Sequence, residues 1–187
     1  MLELKGLKKL FKGISVLNGV DISIKQGTKI GLSGGNGTGK STLLNIATGF
    51  LTPEEGAIIL NGDNITHFEA WKFSRLGIKR TFQKVRFNEA LILKEQLYTS
   101  DIIIKRNLDI LKDAGLIDYL YAFPNEVPLP ILRKVEVIRA LLECPRYLFL
   151  DEPSAGMAAT DLHEFGEFLK EHIDADTCLV VVEHRME

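Results

Sequence analysis

Few residues here are reactive, and none of the usual extremes of composition appears. The 187 residues include two cysteines, one tryptophan and three methionines. Cys144 and Cys178 sit in apolar stretches without Cys-x-x-Cys spacing. That argues against a disulfide framework and leaves two small core residues in a reducing compartment. No apolar run approaches the ~18 residues that a membrane-spanning helix needs. The opening Met1-Leu2-Glu3-Leu4-Lys5 has no signal-peptide hydrophobic region. A cytoplasmic protein is expected, with any membrane role reached through a partner. Charge of one sign is also missing. The net charge is -2, the signs are mixed along the chain, and no basic tail or cluster marks a nucleic-acid ligand. Internal repeats and low-complexity tracts are absent. What remains is 45% hydrophobic and 26% charged, ordinary for one soluble globular domain with a sizeable core.

The first third reads as strand-rich. Leu2 to Leu7 and Val20 to Ile24 alternate, Lys25-Gln26-Gly27 is a turn, and Lys29 to Ser33 is a short apolar strand. Ser41 to Phe50 has helical spacing, with Leu43, Leu44, Ile46 and Ala47 on one side. A strand from Ala57 to Leu60 closes at Asn61-Gly62. From about Glu89 to Leu120 the periodicity is helical, notably at Ile102, Ile103, Leu108, Ile110 and Leu111, and Gly115 marks a helix end. Pro124, Pro128 and Pro130 punctuate the next stretch of chain. Helices at about Ile131 to Glu143 and Thr160 to Ile173 then alternate with strands at Tyr147 to Leu150 and Thr177 to Val182. Strands apolar throughout are buried on both faces. The alternation predicts an α/β fold with a mainly parallel sheet, an N-terminal antiparallel β region and a short helical insertion. The division expected is a core of about 1–84 and 145–187, with a helical subdomain at about 85–144.

"KIGLSGGNGTGKST" carries the strongest chemical signal. Gly34, Gly39, Lys40 and Ser41 fit G-x-x-x-x-G-K-[ST] between a strand and a helix, the P-loop of an NTPase core. Glycines at 34, 35, 37 and 39 let the backbone curl until successive N–H groups point at one centre. The helix N-terminus adds positive partial charge. Lys40 offers an ammonium to the β- and γ-phosphates, and Ser41 an oxygen to Mg²⁺. The phosphate-binding set is Gly34, Gly35, Asn36, Gly37, Thr38, Gly39, Lys40, Ser41 and Thr42. A second signal, "YLFLDEP", ends a buried strand with two acids. Beside a P-loop, Asp151 can hold Mg²⁺ through water, and Glu152 can orient or deprotonate an attacking water. Alone, the pair would be a polar strand end.

Together these segments resemble the ATP-binding subunit of ABC transporters, and most of all the branched-chain amino-acid importer group. "GGNGTGKST" resembles the family's Walker A, "YLFLDEP" its Walker B, "KRTFQKVRF" its Q-loop, "SAGM" at Ser154 to Met157 its D-loop, and "VVVEHRME" its switch region. The resemblance implies that Gln83 contacts the metal or its water and senses the membrane subunit, that His184 contacts the γ-phosphate, and that Phe11 stacks on adenine. It further implies ATP and Mg²⁺ as ligands, a second ATP-binding subunit, and transmembrane permease partners at the inner face of a membrane.

The signature is where this chain departs from the family. Aligned on Arg133 to Leu141, the family commonly reads Leu-Ser-Gly-Gly-Gln or Leu-Pro-Tyr-Gly-Gln, and this chain reads Val127-Pro128-Leu129-Pro130-Ile131. Pro130 stands at the near-invariant glycine position, without an N–H and with a fixed φ. The helix can still start there, because proline is tolerated at a first turn, but its tip has lost donors. The insertion is short for the group, and the sequence stops at Glu187, soon after His184. An exposed sheet edge is therefore expected. The leading reading is an ATP-hydrolysing importer subunit that turns over poorly as a homodimer and works better beside a subunit with an intact signature. The alternatives are a nucleotide-binding regulatory subunit with little turnover and a soluble ABC-type ATPase. A GTPase would need an Asn-Lys-x-Asp motif, which is missing. A small-molecule kinase would lack the Gln83, D-loop and His184 set.

Overall fold

The structure is a computed structural model that describes residues 1–84, 86–97 and 107–183. The chain forms two compact units. One comprises Met1–Arg80, Pro145–Glu152 and the chain from Ala175; the other comprises Thr81–Cys144 and Pro153–Asp174. The stretch Pro153–Asp174, which the sequence reading places with the core, therefore groups with the helical unit.

Among the described residues the first unit holds two four-stranded sheets. The antiparallel sheet has the order β2-β1-β4-β5, from β1 (Leu2–Phe11), β2 (Ile14–Ile24), β4 (Glu55–Leu60) and β5 (Asp63–Asn64). β1 and β2 run past the alternation seen in the sequence. A two-residue turn joins them, with Lys12 at φ 50° and Gly13 at φ 82°, a pairing whose twist suits a hairpin. The parallel sheet has the order β3-β8-β7-β6, from β3 (Lys29–Ser33), β8 (Cys178–Glu183), β7 (Tyr147–Asp151) and β6 (Ile78–Arg80). All five residues of β7 are buried, as its apolar sequence requires. Helix α1 (Lys40–Ala47) turns Leu43, Leu44, Ile46 and Ala47 into a core shared with Leu4, Ile58, Phe149 and Val180. The seating is sequence-driven, since these apolar positions repeat at helical spacing. Helix α2 (Ala70–Arg75), anchored by the fully buried Phe73, leads into β6; neither element shows a period long enough to be read from the sequence.

The second unit contains α3 (Leu93–Gln96), α4 (Leu108–Asp113), α5 (Leu129–Leu141) and α6 (Ala159–His172). Ile102 and Ile103 lie outside the described residues. Helix α5 starts at Leu129, two residues earlier than its periodicity gives. Pro130 falls inside the first turn, where the missing N–H has no intrahelical partner to lose, and Leu132 N–H donates to the Pro128 carbonyl at 3.1 Å. α5 buries Val135, Val137 and Ile138; α6 buries Phe165 and Phe168; and the Lys134 ammonium lies 5.6 Å from the Phe168 ring centre. Among the described residues no helix is long and apolar enough to cross a membrane.

Candidate active site

In the first unit β3 ends at Ser33, and the glycine loop leads directly into α1. The loop is folded onto its own lysine. Lys40 Nζ donates to the carbonyls of Gly34 at 2.5 Å and Gly35 at 2.9 Å, and Thr38 Oγ1 donates to the Gly35 carbonyl at 2.9 Å. Gly39 caps α1 at φ 90°, and its carbonyl receives the Leu43 N–H at 2.8 Å. A Cβ at Gly39 would come within 2.9 Å of both Leu17 Cδ2 and the Val16 carbonyl, so glycine is required there by conformation and by space alike. Gly35, Asn36, Gly37 and Thr38 are exposed, as is Ser41, while Lys40 and Thr42 are half-buried.

The strand-end acids belong to the same unit. Asp151 closes β7 and is buried. Its Oδ2 accepts from Arg80 Nη2 at 3.1 Å, whereas Oδ1 is buried with no hydrogen-bond partner among the described residues. Burial pushes the carboxyl above its ordinary pKa. The Arg80 guanidinium opposes that, Glu152 adds to it, the Lys40 ammonium pulls it back, and Glu183 pushes it up again. In the parallel sheet Ser33, before the glycine loop, pairs with Glu183 and Asp151 with Val182, so the two motifs leave the same end of the sheet. Glu152 is 6% exposed, with φ at 48° and its N–H bonded to Val182 O at 2.9 Å. A left-handed conformation at a residue with a side chain costs on the order of 1–3 kcal/mol and concentrates at working sites. A buried orphan carboxylate oxygen at a strand end and an exposed hydroxyl at a helix start are a donor set that suits a hard divalent cation.

The remaining candidates divide. Phe11 ends β1 with its ring 43% exposed and Lys9 Nζ 5.6 Å from its centre, so it is no core residue. Gln83 belongs to the second unit, where its side chain is exposed. His184 lies outside the described residues.

Two arginines were not singled out by the sequence. Arg80 is one. The other is Arg133 of α5, which donates to the Phe82 carbonyl at 3.1 Å, the Gln83 carbonyl at 2.6 Å and Glu136 Oε2 at 3.3 Å. The helix behind the proline-rich lead-in thus grips the main chain of the Gln83 segment. Burial raises the Glu136 pKa above the ordinary 4.5, and the charge of Arg133 only partly offsets this. A carboxyl raised in the folded state gives stability that is complete below the unfolded value and is lost as pH rises through the folded one. Glu136→Gln is accordingly expected to melt with the parent chain near pH 4 and above it at pH 7–8, followed by circular dichroism. A variant that melts lower at neutral pH would mean that the ion pair outweighs the burial.

The family described as "ABC transporter" matches residues 17–155. The branched-chain amino acid transport ATP-binding protein BraF of Pseudomonas aeruginosa is 29% identical over all of this chain and 82% of its own length. The LivG protein of Archaeoglobus fulgidus, a probable branched-chain amino acid transport ATP-binding protein, is 30% identical over all of this chain and 80% of its own. Among solved structures, an ATP-binding cassette of an ABC transporter in its ADP conformation superimposes with a TM-score of 0.87 at 27% identity, covering 100% of this chain and 82% of that one. A dimeric bacterial ABC transporter cassette superimposes with a TM-score of 0.85 at 26% identity, covering 99% and 88%. With its P-loop, its strand-end acids and its two sheets in place, the chain belongs to the ABC transporter family, as an ATP-binding subunit of the ATPase type.

Proposed function

We propose that this subunit binds ATP with Mg²⁺ at Gly34–Thr42 and Asp151 and hydrolyses it by attack of a water held at Glu152, driving import of branched-chain amino acids through a membrane permease. The substrate class comes from the names of the relatives above. The observation that carries the site is the register of the parallel sheet: Ser33, where the glycine loop begins, pairs with Glu183 and the half-satisfied Asp151 pairs with Val182, so the loop and the acid leave the same end of the sheet. Loop amides and Lys40 would receive the phosphates, with Lys40 exchanging the Gly34 and Gly35 carbonyls for phosphate oxygens. Ser41 and Asp151 would hold the cation, which when bound neutralises charge on the β- and γ-oxygens. Glu152 would orient the water and take its proton. Gln83 and His184 would complete the site, and Phe11 would stack on the base.

The partner would be a second ATP-binding subunit that brings its own signature donors. Pro128 caps α5 without any side-chain hydrogen bond, and Pro130 has no N–H to offer. The site reading is tested by titrating a fluorescent ATP analogue into Lys40→Ala. Losing charge-assisted contacts worth about 2–3 kcal/mol should weaken binding roughly 30- to 150-fold. Unchanged affinity in a folded variant would place the nucleotide elsewhere.

A further inference from the structure

We propose that Arg80 is a positioning residue that locks Asp151 with one carboxylate oxygen turned to the cation and ties that carboxylate to the helix carrying Lys40 and Ser41. The inference rests on the reading of Asp151 as a cation ligand.

Arg80 ends β6, which pairs in parallel with β7; it lies opposite Phe149, two residues short of Asp151. Its side chain is 6% exposed and that of Asp151 5%, so neither charge is shared with solvent. A guanidinium facing a lone carboxylate commonly gives both N–H groups to its two oxygens. Here the fork is divided. Nη2 takes Asp151 Oδ2 at 3.1 Å, while Nη1 takes Asn45 Oδ1 at 2.6 Å and Thr48 Oγ1 at 3.3 Å. Asn45 lies in α1, and Thr48 is its C-terminal cap. The Phe50 ring covers the guanidinium at 5.2 Å. The division fixes the orientation of the carboxylate and leaves Oδ1 buried and unpartnered among the described residues. The other end of α1 begins with Lys40 and Ser41. One side chain therefore sets the spacing between the helix that presents the loop and the acid on the neighbouring strand. An arginine that only neutralised Asp151 would not need Asn45.

The test separates cation binding from nucleotide binding. Affinity for a fluorescent ATP analogue is measured in EDTA and then across Mn²⁺ concentrations, with free Mn²⁺ read by electron paramagnetic resonance. Arg80→Lys keeps the charge but lacks the planar fork that reaches Asp151 and Asn45 together. It should bind nucleotide in EDTA within about threefold of the parent, while the Mn²⁺ needed for half-maximal enhancement rises at least about tenfold, as for other residues that orient ligands. Asn45→Ala keeps the ion pair and leaves Nη1 the longer Thr48 contact without the Asn45 bond; it should shift the Mn²⁺ requirement in the same direction by a smaller factor, and it carries the test if Arg80→Lys fails to fold. An unchanged Mn²⁺ requirement in the variants, with a parent chain that responds to Mn²⁺, overturns the role of Arg80. A parent chain whose nucleotide affinity ignores Mn²⁺ overturns the cation site and Arg80 with it.

Discussion

Glu152→Gln is expected to lower ATP turnover by about 10²- to 10⁴-fold, the usual range for losing a positioned general base. Nucleotide affinity should stay within about threefold of the parent, because the amide fills the same volume at a residue that the proposal keeps off the phosphates. The backbone argues that the group is held for a purpose. Glu152 adopts φ 48° directly after a fully buried strand, and its N–H is pinned to Val182. That conformation is kept only if its surroundings over-determine it. Single-turnover hydrolysis beside equilibrium binding makes the distinction. Retained turnover would remove Glu152 from the reaction, and a matched loss of binding would make its role structural.

The double variant Pro130→Gly/Ile131→Gln is expected to raise turnover of the chain assayed alone by about 10- to 100-fold. One well-placed donor to developing charge is worth about 10²–10³ in rate, and part of that gain is lost to helix stability. Removing a proline whose conformation the first turn already accepts costs about 0.4–1 kcal/mol through the freer unfolded chain, so thermal melts must accompany the kinetics. The specific rate should climb with protein concentration, since the repaired segment acts on the site of a second copy. An equal rate before and after repair, at full occupancy, would make the proline lead-in a tolerated variant. Mixing the parent chain with a cassette that has an intact signature should give the same gain without any substitution.

The legible parts of the molecule are those whose information is local. The P-loop is a strand, a glycine run and a helix in direct succession, and Asp151 and Glu152 follow a buried apolar run, a pattern that takes on a chemical reading only beside that loop. The onset of α5 was shifted because periodicity starts where apolar residues repeat, whereas the helix starts where the backbone first permits it, at Leu129. Arg80 was out of reach for a different reason. Its strand is three residues long and has no period, and its partners lie 32, 35 and 71 positions away. Arg133 reads in sequence as one cation of a charged helix, and only the fold shows it buried against carbonyls 50 and 51 residues earlier. Likewise, Pro153–Asp174 joins the helical unit through tertiary packing that no composition shift announces.

The bonds from Lys40 to the Gly34 and Gly35 carbonyls bear on the heat and tempo of the cycle. A loop already closed on an internal surrogate has little disorder to surrender when phosphate arrives. At the proposed site nucleotide uptake would be a swap of acceptors around one ammonium, and its calorimetric signature should show a small entropic penalty for a site built from glycine. The swap also runs backwards. On product release the ammonium would return to the Gly34 and Gly35 carbonyls that hold it here. Each round would then begin from a rewound spring and need no refolding.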